Sequence, residues 1–164
     1  MSHPLCYTVR MMIKEDISKE VLKPLFDLDG TLIKEERGSK RLFDFTNPSA
    51  ILNLVETDLT PLGELVRDSG KAFDILTARG KASAPFIREA LTKLGFNVRR
   101  IVTVGVDINE PADWARVSSK RVVERKQRVV KFVMRKLVDN DERNLEGLGE
   151  LGELVTQDQK EFNR

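Results

Sequence analysis

Histidine and cysteine are almost missing from this chain: its 164 residues include one of each, His3 and Cys6. A single thiol excludes an internal disulfide, and with no cysteine or histidine beside it a zinc site is a poor reading. His3 falls in a terminus expected to be loose, so histidine triads and histidine-ligated metals are excluded as well. Long apolar runs are also lacking, and a bilayer helix needs about 20 consecutive apolar residues. The stretch from Met1 to Lys14 has neither the apolar centre nor the small-residue cleavage site of a signal peptide. These absences lead us to expect a cytoplasmic protein with no membrane partner.

What is present is an ordinary globular composition, 40% hydrophobic and 33% charged. That length supports one compact domain with short tails: an N-terminal extension over 1–20, a domain over 21–156 and a tail over 157–164. The net charge of +2 does not by itself demand a nucleic-acid partner. Its distribution is uneven, however. Between Arg116 and Lys136 lie nine basic residues and one acid, Glu124.

Strand and helix patterns alternate along the chain. Leu25, Phe26 and Leu28 form a short buried run ended by Asp29-Gly30, as where a parallel strand meets its loop. A helical pattern opens at Pro48-Ser49, runs through Ile51, Leu54, Leu59, Leu62 and Val66, and stops at Gly70. Ala72 to Thr77 reads as a strand with Ala78-Arg79-Gly80 as its exit loop. Residues 82–94 form an amphipathic helix ended by Gly95, and Arg100 to Gly105 a β-branched strand. Asn109-Glu110-Pro111 breaks the chain. A long basic helix from about Ser118, a short strand near Leu137-Val138 and a final helix after Asp141 follow. The order implies an α/β fold, a Rossmann-like three-layer sandwich around a central, mainly parallel sheet, with sites at the carboxyl ends of its strands. Gly147 to Gly152 matches a dinucleotide fingerprint in form only, because no strand precedes it and no βαβ unit fits behind it.

Chemistry concentrates at the first strand end. In Phe26-Asp27-Leu28-Asp29-Gly30-Thr31-Leu32, a turn after Asp27 can bring Asp29 toward the same substrate. One carboxylate can then attack phosphorus while the other protonates the leaving oxygen and later activates water. A magnesium ion suits such oxygens, Gly30 permits close backbone approach, and Thr31 offers a hydroxyl and an amide. The sequence resembles the haloacid dehalogenase-like superfamily of aspartate-nucleophile phosphatases, whose first motif is Asp-x-Asp-Gly-Thr. The resemblance spans roughly residues 24–148. It implies Asp27 as nucleophile, Asp29 as acid/base, Gly30 and Thr31 at the substrate, and magnesium on the acidic residues.

Further motifs of that family are matched in order. Phe73 to Arg79 resembles the second, which implies Thr77 on the transferring phosphoryl group and Arg79 near substrate. Leu137 to Leu145 resembles the fourth, a strand ending in acidic metal ligands. Here Asn140 separates the acids, so Asp139 is the stronger ligand candidate and Asp141 the weaker, while Asn140 can ligate through its carbonyl oxygen or hold a metal-bound water. A calcium loop beginning at Asp139 is a poor fit, because Arg143 and Asn144 sit where it needs an oxygen ligand and a glycine. The family's third motif is a lysine, with two candidates. Lys120 leaves room for a helix, a turn and a strand before Asp139, given rises of about 1.5 and 3.3 Å per residue. Lys126 leaves less room but lies at helical spacing among Val122, Val129, Val130 and Val133, pointing toward the sheet.

No full cap domain fits between the motifs, so the site is expected to be open, suited to a phosphate on a macromolecule or to completion by another subunit of an oligomer. The basic 116–136 segment and Arg37 to Phe45, which resembles the insert of polynucleotide 3′-phosphatases, incline the reading toward a nucleotide or polynucleotide end. The alternative is a catalytically idle module on the same fold that binds nucleic acid or another polyanion through that segment.

Overall fold

The computed structural model describes residues 23–107 and 119–162. The expected 1–20 extension and the break at Asn109-Glu110-Pro111 lie outside them. Five parallel strands form one sheet: β1 (Leu25–Phe26), β2 (Phe73–Thr77), β3 (Val98–Thr103), β4 (Leu137–Asp139) and β5 (Gly152–Leu154). Their spatial order is β3-β2-β1-β4-β5. The chain therefore leaves β1 in both directions across the sheet, and the switch of direction falls between β1 and β4, where open α/β sheets place their ligands.

Period-two alternation sorts the strand residues onto two faces. Phe26, Ile75 and Val138 pack in one apolar cluster with Leu28, Ile51, Ile87 and Leu91. Leu25, Leu76 and Leu137 pack in the other with Val130, Val122, Val129 and Val133. Helix α2 (Ala84–Lys93) covers the first face together with α1 (Pro61–Asp68), and α3 (Ser119–Val133) covers the second. The result is the three-layer α/β sandwich that the alternating pattern implies, and its sheet does not close into a barrel. Among the described residues no helix is long and apolar enough to cross a membrane.

Three elements differ from the sequence reading. The long helix expected from Pro48 is broken into two 3₁₀ turns, Pro48–Asn53 and Glu56–Asp58, before α1 begins. The break lies at Thr60, extended at ψ 164 as a residue before proline prefers, and its hydroxyl caps α1 by accepting from the Gly63 amide at 3.0 Å. The final helix expected after Asp141 is instead two 3₁₀ turns and the edge strand β5. Leu145, Leu148 and Leu151 keep a helical interval, but Gly147 and Gly149 sit at φ 78 and 57, which a right-handed helix cannot contain. The third strand starts two residues earlier than Arg100, at Val98.

Candidate active site

Alternation carries Asp27 and Asp139 to one place. Each follows by two residues an apolar side chain, Leu25 or Leu137, on the face that α3 covers. The neighbouring strands hold them level, with Phe26 paired to Val138 and the Asp27 amide donating to the Val138 carbonyl at 2.9 Å. Lys126, on the inner side of α3 one turn before Val130, reaches between them. Its Nζ donates to Asp27 Oδ1 at 2.7 Å and to Asp139 Oδ2 at 2.9 Å. All three groups are buried. Lys120, the lysine favoured on chain length, is exposed on the same helix, so the structure corrects that preference and brings Lys126 to Asp27. The reason is a short return. Met134 at φ 54 ends the helix, and only residues 134–136 separate it from β4.

Two carboxylates thus share one buried ammonium. Burial, with Asp139 adding to it, pushes the Asp27 carboxyl up to about 7 against the pull of Lys126. Burial alone would lower Lys126, but Asp27 and Asp139 more than reverse it and hold the lysine above its ordinary value, fully charged. Asp139 has both oxygens occupied: Oδ2 also accepts from Asn144 Nδ2 at 2.9 Å, and Oδ1 accepts from the Asp141 amide at 2.8 Å. Its surroundings make it the anchor of Lys126.

The segment after Asp27 is a tight turn in which the Leu28 carbonyl accepts from the amides of Thr31, Leu32 and Ile33 at 3.0–3.2 Å. It places Thr31 Oγ1 3.0 Å from Asp27 Oδ2, which it donates to. Gly30 stands at φ 81, and a Cβ there would run into the Asn140 amide. Thr60 supports the turn from behind, donating to the Thr31 carbonyl at 2.5 Å.

Asp29 borders a groove along the 34–45 segment. Arg79 grips its carboxylate with two bonds, Nε at 3.0 Å and Nη2 at 2.7 Å, while Nη1 donates to the Leu42 carbonyl at 2.7 Å. The guanidinium, 1% exposed, also lies 4.7 Å from the centre of the Phe43 ring. Arg79, expected near substrate, is thus committed to Asp29 and the wall of the 34–45 segment. Thr77 closes β2 beside β1, buried, and its hydroxyl accepts from the Arg79 amide at 3.2 Å. Asp141 turns outward to Arg143, at 2.6 Å, which holds its carboxyl below the usual range.

Among the described residues no three histidine, cysteine, aspartate or glutamate side chains gather as metal ligands. Oxygens of mixed origin do converge. One end of the Asn140 amide lies 3.0 Å from both the Asp29 main-chain oxygen and Asp27 Oδ2. With nitrogen at that end it donates to both, and the choice of end is an assignment from hydrogen bonding. Hydrogen bonding favours nitrogen there; with oxygen at that end, three oxygens meet that a cation could join. Their spacing suits magnesium, since adjacent oxygens of an octahedron with bonds of about 2.1 Å lie about 3 Å apart. The donors that fit are therefore Asp27 Oδ2, the Asp29 main chain and Asn140, while the carboxylates of Asp139 and Asp141 are engaged elsewhere.

No protein-family model matches the chain, and no curated protein or solved structure is significantly similar to it.

Sequence reasoning passed over Asn144 and Thr60. Thr60 acts on the Thr31 carbonyl 29 positions away and Asn144 on Asp139 five positions away, and neither residue type at those positions signals its partner. Asn140 was visible as the residue that interrupts the acids, but not as the one that meets Asp27.

Proposed function

We propose that this chain is a magnesium-dependent phosphatase of the haloacid dehalogenase-like kind, acting in the cytoplasm on a phosphomonoester, with a nucleotide or polynucleotide end as its substrate. The observation that carries the reading is the buried triad at the switch point of the sheet: Asp27, on which Lys126 and Thr31 converge, held beside Asp139.

In this mechanism an oxygen of the Asp27 carboxylate attacks phosphorus, the bond to the ester oxygen breaks, and Asp29 supplies the proton that the departing alkoxide takes up. The aspartyl-phosphate then yields to water. Asp29 removes the proton of the attacking water, the bond between phosphorus and the Asp27 oxygen breaks, and inorganic phosphate leaves with the aspartate restored. Lys126 keeps Asp27 charged when phosphate approaches and offsets the gathering negative charge. Thr31 and Thr77 offer hydroxyls at the two strand ends that border the phosphoryl position. Magnesium, held by Asp27, the Asp29 main-chain oxygen and Asn140, would supply charge neutralisation for the transferred group.

The test is hydrolysis of p-nitrophenyl phosphate with magnesium, with EDTA, and by Asp27→Asn. Magnesium-dependent turnover lost in the variant by on the order of 10⁴-fold or more is the expected result. A panel of mononucleotides and of 3′- or 5′-phosphorylated oligonucleotides then ranks substrates, and strong preference for free mononucleotides would defeat the polynucleotide proposal.

A second reading rests on the outer side of α3, where Lys120, Arg121, Arg128 and Lys131 are exposed. They support a catalytically idle module that binds a polyanion. No turnover of any phosphoester, together with tight and salt-sensitive nucleic-acid binding, would favour it.

A further inference from the structure

A groove of about 690 Å³ opens beside Asp29 along the 34–45 segment. Its walls combine aromatic rings with charges of both signs: Asp29, Glu35, Glu36 and Asp44 lie among Lys34, Arg37 and Lys40. Phe43 and Phe45 lie with ring centres 4.7 Å apart, and Phe45 is 40% exposed. Several charges nearby are already used: Lys34 donates to the Thr57 carbonyl, Arg41 pairs with Asp58 and Glu36, and Asp44 accepts from Thr46. Arg37 and Lys40 line the groove with no ion pair among the described residues. The groove is also wired to the chemistry. Phe43 bears on the Arg79 guanidinium, the Leu42 carbonyl accepts from it, and the same guanidinium fixes both oxygens of Asp29.

We propose that this groove is the leaving-group subsite, taking a flat ring that carries a second negative charge, and that Arg79 is a positioning residue joining its wall to Asp29. The inference rests on the phosphatase reading and extends it to the side of the substrate that departs. The ring packs against Phe43 and Phe45, Arg37 and Lys40 meet the additional anion, and contact with Phe43 steadies the guanidinium that aims Asp29 at the leaving oxygen. Positioning of this kind is worth much, since a displacement of about 1 Å at a reacting group costs about 10²-fold.

Phosphate release is measured, with magnesium, from a nucleoside 3′,5′-bisphosphate, from p-nitrophenyl phosphate and from glycerol phosphate. Phe45→Leu, a change at an exposed ring of the same wall, is expected to raise KM for the bisphosphate about tenfold and to leave glycerol phosphate within about twofold, since a small leaving group does not reach the wall. Arg37→Ala with Lys40→Ala is expected to raise KM for the bisphosphate alone. Arg79→Lys is expected to lower kcat, more for glycerol phosphate than for p-nitrophenyl phosphate, whose leaving group departs without a proton. Equal losses on all three esters in Phe45→Leu, or no loss on any, would overturn the subsite. An Arg79→Lys loss independent of the leaving group would reduce Arg79 to a structural role. If the wild-type chain releases no phosphate from any ester, the phosphatase reading fails first and takes this inference with it.

Discussion

The sheet holds a buried charge cluster at each end, and the two are built in opposite proportion. At the carboxyl ends, Asp27 and Asp139 share one cation, Lys126. Near the amino ends, one carboxylate, Asp74, is shared by two cations: Arg99 at 2.6 Å and Arg135 at 2.6 Å, with the Arg100 amide adding a bond at 3.0 Å. The acids respond in opposite directions. Asp27 is pushed up to about 7, whereas burial that would raise Asp74 is outweighed by Arg99 and Arg135, which bring it down to about 2. The lower cluster works as a tie between elements, although Arg135 Nη2 is buried without a hydrogen-bond partner. Arg135 also donates to the Lys23 carbonyl at 2.8 Å, so Asp74 ties β2, β3 and the approaches to β1 and β4 together. The upper cluster has an excess of negative charge, and the Asn140 amide meets Asp27 and the Asp29 main chain beside it. That excess is what the proposed metal and phosphate site would use.

The sharpest way to break this contrast is to remove the one cation of the upper cluster. Lys126→Ala leaves two buried carboxylates together, and we expect a loss of about 3–5 kcal/mol in stability, read by urea unfolding. Phosphatase turnover is expected to fall on the order of 10³-fold even at temperatures where the variant is folded. Lys120→Ala is the control, with a change within about 0.5 kcal/mol. Equal behaviour of the two variants would dissolve the distinction.

Asp74→Ala strands two guanidinium groups and is expected to cost a similar 3–5 kcal/mol or so, while kcat measured below the variant's melting temperature stays near that of the wild type. The pH dependence gives the milder form of the same test. Because the folded carboxyl is depressed, the unfolded chain takes up the proton first as pH falls. The contribution of Asp74 is therefore full above pH 4 and is lost progressively toward pH 2. Asp74→Asn is expected to flatten that part of the stability curve. A curve of unchanged slope would show that the lower cluster does not titrate as described.

The smallest effect belongs to Asn140, whose amide meets Asp27 and the Asp29 main chain. Asn140→Ala is expected to raise the magnesium concentration needed for half-maximal turnover by about 10–100-fold, with stability little changed, whereas Asn140→Asp keeps an oxygen in place. An unaltered magnesium requirement in Asn140→Ala would remove Asn140 from the ligand set.

Much of the upper cluster was legible before any coordinates, because strands obey a rule of two. Asp27, Thr77 and Asp139 each end an apolar run, and such runs declare both the strand and the end at which its loop begins. Lys126 was half legible: its helical spacing among valines pointed inward, but a count of residues available for the return favoured Lys120. That count failed because a single residue with positive φ, Met134, compresses the return to three residues, and a methionine gives no warning of that conformation. The glycines after Leu145 did give warning, yet the leucine interval outweighed them in the reading. Arg79 was legible as a residue of the site but not as the holder of Asp29, since nothing local records a partner 50 positions away. The lower cluster was wholly invisible for the same reason.

The shortness of β1 sets a limit on how this chain can change over generations. Only Leu25 and Phe26 are paired on both sides before the turn begins. Insertion or deletion of one residue there would invert parity, sending the residue that now meets Lys126 into the apolar layer beneath α2. Substitution can explore this strand, but its length cannot drift. Length variation that leaves Asp27 in place has to fall elsewhere, in segments such as 34–45 that leave the sheet and return without carrying its register.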